Sequence, residues 1–390
     1  MYQVKLYNKI AESGTELLDK EDFAYGEDIE DYDAILVRSA KLHDVEFPKK
    51  LKCIARAGAG VNNIPLDKCS EKGIVVFNTP GANANAVKEL VLGALFMSSR
   101  KVLAGYEWAK TLAGNGDQIG ALAEKGKANF AGPEIAGKTL GVIGLGAIGL
   151  RVANAAVSLD MEVIGYDPYL SVDSALQIKR EVEYTTNLDD IFTKADYITV
   201  HVPLMDATRG IVGAESIEKM KDGVRILNFA RGGLCDEAAV IDALKSGKIA
   251  CYMTDFASEE LLAAPNAYCF PHLGASTPES EENCARMAAK ELIDYLEKGN
   301  IRNSVNFPNL KVPFESKNRI CVMHRNVPNM IANLSTLMSA HGANIENFGS
   351  RSRGDYAYTI VETMQEVPDS LLNVLRSNKN IAMVSLIGKK

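Results

Sequence analysis

The sequence lacks any cysteine pattern that would indicate a metal site or a disulfide framework. Its seven cysteines are scattered, odd in number and without a C-x-x-C pair. Such a distribution is typical of reduced thiols that are buried as small apolar side chains in the cytosol. We therefore predict no bound metal and a cytoplasmic location.

An excess of basic charge and a long apolar run are also lacking. The formal net charge is -7, with 43 Lys and Arg against 50 Asp and Glu, which argues against a nucleic-acid partner held through its phosphates. No apolar run reaches the length of a membrane span, and residues 1–7 alternate like a strand, unlike the apolar region of a signal peptide. We expect a soluble, unexported chain without nucleic-acid or membrane partners.

What the sequence does contain is a glycine fingerprint in the middle of the chain. Gly144, Gly146 and Gly149 directly follow the apolar run 140–143, which predicts a strand that turns tightly into a helix. The first glycine permits the turn, the second lets the backbone approach a pyrophosphate, and the third lets helix and strand pack closely. The alternative interpretation is a glycine-rich turn that binds nothing.

A carboxylate follows this fingerprint at the expected distance. A second predicted strand, 162–166, ends at Asp167, which lies 18 residues after Gly149. An acid at this place binds the ribose hydroxyls of a dinucleotide. It favours NAD over NADP, because a 2′-phosphate would meet a negative charge.

Strand and helix patterns alternate along most of the chain of 390 residues. They predict an α/β protein with two Rossmann-like, doubly wound parallel-sheet domains and a C-terminal βαββαβ domain of ferredoxin-like layout. We assign residues 1–98 and 273–305 to a substrate-binding domain and 99–272 to an NAD-binding domain. A linker over 306–317 leads to the C-terminal domain, 318–390.

Candidate catalytic side chains follow two of the predicted strands, at the sheet edge where ligands bind in such folds. Arg231 follows strand 224–229 and its flanking glycines leave space around the side chain. Its guanidinium suits a substrate carboxylate, and a surface ion pair is the alternative. His272 is one of only five histidines, and an imidazole can take a hydroxyl proton near neutral pH. Glu259 is the candidate that fixes the tautomer of this ring; its neighbour Glu260 and a merely solvated acidic loop are the alternatives.

These blocks together resemble the D-isomer-specific 2-hydroxyacid dehydrogenase family over residues 1 to about 305. The segments that carry the resemblance are 57–63, 78–83, 144–149, 228–233, Glu259 and 271–277. The resemblance implies an NAD-dependent enzyme in which Arg231 orients the substrate, His272 is the acid and base, and Glu259 is its partner. We also expect a homo-oligomer, a dimer or a tetramer.

The residues assigned to NAD are Gly144, Gly146, Ala147, Ile148, Gly149, Asp167, His201, Val202, Pro203, Thr208, Phe229, Ala230, Arg231, Asp255, His272, Gly274 and Ala275. The residues assigned to the substrate are Arg38, Ser39, Arg56, Ala59, Gly60, Val61, Arg231 and His272. The chain departs from the family near Phe256: its aspartate is Asp255, whereas Thr254 stands at the matching position. Either residue is a candidate for the nicotinamide carboxamide.

The C-terminal domain resembles an ACT domain, an amino-acid-sensing module. His324, Asn326 and Asn344 match the positions that hold serine in relatives with such a module. The resemblance therefore implies L-serine as an effector, and the alternative is a module used only for subunit pairing.

The cations Arg38 and Arg56 and the C-terminal domain together favour 3-phosphoglycerate as the substrate, oxidised to 3-phosphohydroxypyruvate in the first step of the phosphorylated serine pathway. Two alternatives remain. One is a reductase for another D-2-hydroxy acid, of the glyoxylate, hydroxypyruvate or D-lactate type. The other is a non-enzymatic protein that senses NAD.

Overall fold

The chain divides into two compact units in a computed structural model that describes residues 1–389. Unit 1 comprises Met1–Asn83 and Pro278–Lys390, and unit 2 comprises Ala84–Thr277. The sequence prediction placed the divisions after residues 98 and 272 and set the C-terminal domain apart. The first division differs because the helix after Asn83 packs its apolar face into the core of unit 2.

Unit 1 begins with a five-stranded parallel sheet in the order β2-β1-β3-β4-β5. Its elements are β1 (Tyr2–Tyr7), α1 (Glu12–Thr15), β2 (Phe23–Gly26), β3 (Ala34–Val37), β4 (Cys53–Arg56), α2 (Leu66–Glu71) and β5 (Val75–Phe77). Every residue of β3 and β5 is buried. Continuous burial is typical of parallel strands that are covered on both faces.

Unit 2 starts with three helices, α3 (Ala84–Ser99), α4 (Val102–Lys110) and α5 (Ile119–Gly126), and two short 3₁₀ turns, Gly116–Gln118 and Lys127–Phe130. Its sheet and the helices between the strands are β6 (Thr139–Ile143), α6 (Gly149–Val157), β7 (Glu162–Tyr166), α7 (Val172–Ala175), β8 (Val182–Thr185), α8 (Leu188–Lys194), β9 (Tyr197–Val200), α9 (Ala214–Lys219), β10 (Val224–Asn228), α10 (Glu237–Ser246), β11 (Ile249–Thr254), α11 (Glu259–Ala263) and β12 (Ala267–Cys269).

The seven strands of unit 2 are parallel and lie in the order β12-β11-β10-β9-β6-β7-β8. The chain builds β6, β7 and β8 outward in one direction, then returns to the centre and builds β9 to β12 in the other. The strand order therefore reverses between β6 and β9. In doubly wound sheets a ligand binds outside the carboxyl ends of the two strands at such a reversal.

The chain then returns to unit 1 through a long helix and ends in a small antiparallel domain. The elements are α12 (Pro278–Lys298), β13 (Asn318–Arg325), α13 (Met330–Ala340), β14 (Asn347–Arg353), β15 (Tyr356–Thr363), α14 (Asp369–Ser377) and β16 (Ile381–Gly388). The strands of the last sheet lie in the order β14-β15-β13-β16. The predicted fold class, two parallel α/β sheets followed by a βαββαβ domain, is confirmed.

Both faces of the C-terminal sheet are covered. One face packs against α13 and α14 through residues such as Ile320 and Val361. The other face contributes Cys321, Tyr358 and Ile360 to the same core as the parallel sheet of unit 1. The C-terminal domain therefore shares a hydrophobic core with the first α/β domain.

A fully buried ion pair lies within this shared region. Arg319 on β13 stands opposite Glu362 on β15, both side chains are 0% exposed, and the guanidinium is bonded to the carboxylate. The same guanidinium donates to the carbonyls of Lys298, Val312 and Pro313. One side chain thus joins the sheet to the end of α12 and to the segment that precedes the domain.

No helix within residues 1–389 is both long enough and apolar enough to span a membrane.

Candidate dinucleotide and catalytic site

The turn after β6 has the geometry that a bound pyrophosphate requires. Gly144 has φ 96°, and a Cβ there would lie 2.8 Å from the carbonyl oxygen of His201. A Cβ on Gly149 would overlap the carbonyl oxygen of Gly144. Around Gly146, by contrast, no neighbouring atom of the described chain lies within 4 Å of the Cβ position. Only glycine fits at 144 and 149, and open space remains where a phosphate would approach.

Ala147 and Ile148 complete the turn and lead into α6, which begins at Gly149. The amino end of this helix lies at the carboxyl end of β6, where its free N–H groups favour an anion. Asp167 follows β7, and its Oδ2 accepts a hydrogen bond from the backbone N–H of Leu145 at 2.9 Å. Its Oδ1 accepts one from the N–H of Tyr169 at 2.9 Å. The ribose-binding candidate is thus fixed beside the glycine turn.

The segment after β9 forms the other side of the strand reversal. His201 is bonded through Nε2 to Thr199 Oγ1 at 2.9 Å, and its buried Nδ1 has no partner within residues 1–389. Burial lowers the pKa of His201 to about 3, so the ring is neutral at physiological pH. Val202 and Pro203 follow it, and the hydroxyl of Thr208 donates to the Pro203 carbonyl at 2.6 Å, which closes the loop.

Arg231 lies in the loop after β10, and a buried asparagine supports this loop. Asn228 is 1% exposed; its Nδ2 donates to the Arg231 carbonyl at 2.9 Å, and its Oδ1 accepts from the Ala230 N–H at 3.2 Å. The Arg231 side chain is exposed, and its Nη1 donates to the Ala230 carbonyl at 2.7 Å. Phe229 is buried, with its ring 6.3 Å from that of Phe270. The sequence analysis did not single out Asn228, although its place at a strand end before the arginine was the available signal.

His272 lies after β12, two loops along the same sheet edge. Its exposed imidazole meets the ring of Phe256 edge to face, with centroids 5.1 Å apart. Gly274 follows it, and a Cβ at Gly274 would lie 3.5 Å from Oδ2 of Asp255. Ala275 comes next in a turn that is half-buried. The sequence analysis used Phe256 only as a reference position for Thr254 and Asp255 and did not predict its contact with His272.

Asp255 follows β11 and so lies between the loop of Arg231 and the loop of His272 along the sheet edge. Its side chain is 3% exposed. Burial raises the pKa of Asp255, and the charge of His272, the backbone N–H groups of Gly274 and Asp255 and the charge of Arg231 oppose that increase.

The structure does not bring Glu259 to His272. Glu259 and Glu260 are exposed in the first turn of α11, and neither makes a hydrogen bond or ion pair to the imidazole. The hydroxyl of Ser258 caps this helix by accepting from the Leu261 N–H at 3.2 Å, which directs the two glutamates to solvent. Thr254 is fully buried, and its hydroxyl accepts from the Phe256 N–H at 3.2 Å.

The residues predicted to bind substrate lie in unit 1, at the carboxyl ends of β3 and β4. Arg38 forms an ion pair with Glu281 at 2.6 Å, and Nε of Arg56 donates to the Arg38 carbonyl at 3.0 Å. The N–H of Ser39 is bonded to Asn8 at 3.0 Å. The loop of Ala59, Gly60 and Val61 is half-buried, and the Ala59 carbonyl accepts from Asn78 Nδ2 at 2.6 Å.

The three residues predicted to hold an effector are bonded to separate local partners. His324 is 3% exposed, and its ring nitrogens are bonded to the Arg325 carbonyl and to Thr359 Oγ1 at 2.8 and 2.9 Å. Asn326 donates to the Gly354 carbonyl at 3.2 Å, and Asn344 donates to Glu346 at 3.0 Å. No hydrogen bond in the described chain joins the three to one another. Burial lowers the pKa of His324.

The glycine turn, the acid after β7 and the strand reversal define a dinucleotide-binding domain. A family model described as the NAD-binding domain of D-isomer-specific 2-hydroxyacid dehydrogenases matches residues 92–274. A hydroxypyruvate reductase of Thermotoga maritima is 40% identical over 271 residues, which make up 65% of this chain and 81% of that protein. The chain belongs to the D-isomer-specific 2-hydroxyacid dehydrogenase family, whose cofactor is NAD.

Other relatives carry a different name. A D-3-phosphoglycerate dehydrogenase of Archaeoglobus fulgidus is 37% identical over 293 residues, 72% of this chain and 52% of that protein. The chain thus spans about half the length of this protein and of the D-3-phosphoglycerate dehydrogenase of Methanocaldococcus jannaschii. Among solved structures, the NAD⁺-bound 3-phosphoglycerate dehydrogenase of Entamoeba histolytica has a TM-score of 0.61 and 27% identity, and the match covers 79% of this chain and 99% of that one.

Proposed function

We propose that this chain oxidises D-3-phosphoglycerate to 3-phosphohydroxypyruvate with NAD, which is the first step of the phosphorylated L-serine pathway. The observation that carries the proposal is that Arg231 and His272 follow β10 and β12 at the carboxyl edge of the same parallel sheet, the edge that also holds the glycine turn. The relatives that are named D-3-phosphoglycerate dehydrogenase support the choice of substrate.

The chemistry needs three contributions from the protein. His272 takes the proton of the substrate hydroxyl through its imidazole, and its exposed position leaves the ring open to a ligand. Arg231 pairs with the substrate carboxylate through two N–H groups and thereby fixes the carbon that reacts. Gly144, Gly146 and Asp167 hold the dinucleotide, which when bound supplies the hydride acceptor.

The phosphate of the substrate needs cations, and we assign it to Arg38 and Arg56. Arg38 is already paired with Glu281 by a half-exposed ion pair. Such a pair contributes about 0–1 kcal/mol, so a phosphate of greater charge can replace the carboxylate as its partner. Arg38 would then change partner on binding, and Arg56 would remain braced on the Arg38 carbonyl.

The test is the appearance of NADH when purified protein is mixed with NAD and D-3-phosphoglycerate. Replacing His272 with Asn should lower kcat by about 10²–10⁴, while the Kd for NAD, followed by fluorescence, stays within about threefold. Turnover that is absent in the native chain although NAD binds normally would contradict the enzymatic proposal and favour an NAD-sensing binding protein.

A second candidate is a hydroxypyruvate or glyoxylate reductase, favoured by the 40% identity to the Thermotoga maritima reductase. The substitution Arg38→Gln separates the two. If the phosphorylated acid is the substrate, this change should lower kcat/KM for 3-phosphoglycerate by about 10–100-fold, the loss of one charged hydrogen bond, and leave hydroxypyruvate reduction nearly unchanged. Faster turnover of hydroxypyruvate than of 3-phosphoglycerate, insensitive to Arg38, would support the reductase; D-lactate completes the substrate panel.

We also propose L-serine as an effector at His324, Asn326 and Asn344, on the resemblance of the C-terminal domain to an ACT module. Since both ring nitrogens of His324 are already bonded, serine would act through the exposed Asn326 and Asn344 and would require a change at His324. Titrating activity against L-serine in the native chain and in Asn344→Ala tests this. A chain that L-serine leaves unaffected would have a domain that only pairs subunits.

Finally, we propose a cytoplasmic homo-oligomer, a dimer or tetramer, in accordance with the resemblance. Its mass in solution is measurable by light scattering against the chain mass of 42.3 kDa. A mass that stays at one chain at micromolar concentration would contradict the oligomer.

A further inference from the structure

Asp167, the acid assigned to the ribose, lies in a part of unit 2 that has little apolar packing. None of residues 167–181 is buried, and the next buried residue is Val182, the first of β8. A segment without buried apolar side chains is held mainly by its hydrogen bonds. The position of the Asp167 carboxylate therefore depends on the groups that are bonded to this residue.

Asp167 is bonded through its side chain and through its backbone. Its carboxylate accepts from the N–H groups of Leu145 and Tyr169, both at 2.9 Å. Its backbone carbonyl accepts from the hydroxyl of Tyr184 at 2.8 Å. Leu145 belongs to the glycine turn and Tyr169 to the exposed segment itself, whereas Tyr184 belongs to β8. The tyrosine therefore ties the start of this segment to the sheet.

The register of the sheet places Tyr184 for this bond. β7 and β8 are parallel, and Tyr184 stands opposite Gly165, two residues before Asp167. Tyr184 is 43% exposed, so its ring is not a core side chain. Its hydroxyl extends past the end of β7 to the carbonyl of Asp167. Because a tyrosine side chain has only two rotatable bonds before its hydroxyl, fixing it costs little entropy.

The carboxylate of Asp167 keeps acceptor capacity for a ligand. An ionised carboxylate has about four acceptor sites, and two backbone N–H groups occupy part of that capacity. The remaining sites suit the hydroxyls of a ribose, provided that the carboxylate keeps its place beside the glycine turn. A shift of the Asp167 backbone would move these acceptors away from a dinucleotide whose pyrophosphate lies on that turn.

We propose that Tyr184 is a positioning residue for the dinucleotide, whose hydroxyl holds the backbone of Asp167 so that the carboxylate meets the ribose. This role rests on the assignment of Asp167 to the ribose hydroxyls. It also strengthens the preference for NAD over NADP, because a carboxylate that is held in place repels a 2′-phosphate more than one that can turn aside.

The experiment measures cofactor binding and needs no substrate. In Tyr184→Phe, which removes only the hydroxyl, the Kd for NADH, followed by fluorescence, should rise about two- to tenfold, the effect of one hydrogen bond. The Kd for NADPH should stay nearly unchanged, so the discrimination between the two cofactors falls. The matched control is Tyr169→Phe, because Tyr169 is 87% exposed and its hydroxyl is bonded to no residue of the described chain. This control should leave both Kd values unchanged.

A double-mutant cycle tests whether Tyr184 acts through Asp167. Asp167→Ala alone should raise the Kd for NADH at least about tenfold. Adding Tyr184→Phe should then change nothing further, because the carboxylate that the hydroxyl positions is gone. An equal effect of Tyr184→Phe with and without the carboxylate, or no effect in the native chain, would overturn the proposal. If Asp167→Ala binds NADH too weakly to be measured, the ratio of the two Kd values in Tyr184→Phe decides.

A purely structural role of the hydroxyl has a different outcome. A hydroxyl that only stabilises the edge of the sheet would lower Tm and weaken the binding of NADH and NADPH equally, which would contradict the proposal. We expect the Tm of Tyr184→Phe to stay within about 4 °C of the native value. Native affinity for NADH in Asp167→Ala would show instead that the acid itself is wrongly assigned, and the role of Tyr184 would fall with it.

Discussion

Two glycines of the turn after β6 differ in what a methyl group would touch. At Gly149 it would overlap the Gly144 carbonyl, whereas at Gly146 it would project into open space. We therefore expect Gly149→Ala to lower the free energy of unfolding by about 2 kcal/mol or more. Gly146→Ala should keep the native Tm but raise the Kd for NAD at least tenfold, because its methyl group fills the approach of the pyrophosphate.

Gly93 in α3 is a suitable control for this pair, because its Cβ position has no neighbour within 4 Å and it lies outside the turn. Gly93→Ala should leave NAD affinity unchanged and raise Tm slightly, as alanine favours a helix. Equal effects of Gly146→Ala and Gly149→Ala on Tm, or an unchanged Kd in Gly146→Ala, would contradict the assignment.

For single residues, the sequence could predict which ones follow a strand at the carboxyl edge of the sheet. It could not predict which of their side chains are buried and which are exposed to solvent. That Arg231 and His272 follow strands at one sheet edge was predictable, because the carboxyl ends of parallel strands meet at one edge. The direction of the Glu259 and Glu260 side chains was not, because it depends on where α11 begins. The Ser258 cap starts that helix just before Glu259 and leaves its side chain in solvent, and a match of motif positions does not carry this information.

Among the elements, α12 carries a buried acid that makes stability depend on pH. Glu291 is 7% exposed; Oε1 accepts from Asn303 Nδ2 at 2.6 Å, and Oε2 has no partner among residues 1–389. Burial raises the pKa of Glu291 to about 8, against the hydrogen bond of Asn303 and the charge of Arg302, which lower it. The folded protein therefore keeps a proton here that the unfolded chain has already lost above about pH 4.5.

The sign of the effect follows from this difference in bound protons. Because the folded state binds the extra proton, stability is greatest below about pH 4.5 as far as this group is concerned and falls as the pH rises to about 8. The slope from one proton is at most about 1.4 kcal/mol per pH unit. Urea unfolding of Glu291→Gln at pH 6 and pH 8 should show a smaller pH dependence than the native chain and higher stability at pH 8. Parallel curves for the two proteins would contradict the assignment.

Element boundaries show a second limit of the sequence. The apolar positions of α3, such as Val87, Val91 and Leu95, predict a helix with one buried face. They do not specify the sheet against which this face packs. The helix packs in the core of unit 2, whereas the prediction treated residues 84–110 as one helical stretch running from one domain into the next and divided it after residue 98.

For the molecule as a whole, the pair Arg319 and Glu362 connects the C-terminal domain to the rest of unit 1. Arg319→Met leaves the Glu362 carboxylate buried without its partner, which should lower the free energy of unfolding by about 3–5 kcal/mol. The double variant Arg319→Met with Glu362→Leu removes both charges and should recover most of that loss. Chemical denaturation measures both, and a double variant no more stable than the single one would show that the carbonyl bonds of Arg319 matter more than the ion pair.

The order of domains and the βαββαβ layout were predictable from strand and helix patterns. The core that the C-terminal sheet shares with the first domain was not predictable, because the sequence does not show against which surface the apolar residues of β13 and β15 pack. The linker over 306–317, with its two prolines and few periodic apolar positions, predicts an independent domain instead. Phe77 shares this core with Cys321 and Tyr358. Both lie more than 240 positions further along the chain.

The shared core also bears on how such a domain is gained or lost over evolutionary time. A domain that is attached only through a linker is easily fused, exchanged or deleted, because its removal exposes no apolar surface of the rest of the protein. Here, deletion of the C-terminal domain would expose Tyr295 and Phe77 of the shared core to water. A substitute module would have to present a matching apolar face. We therefore expect the C-terminal domain to be inherited together with the apolar surface of the first domain against which it packs, and the two surfaces to change together from one lineage to another.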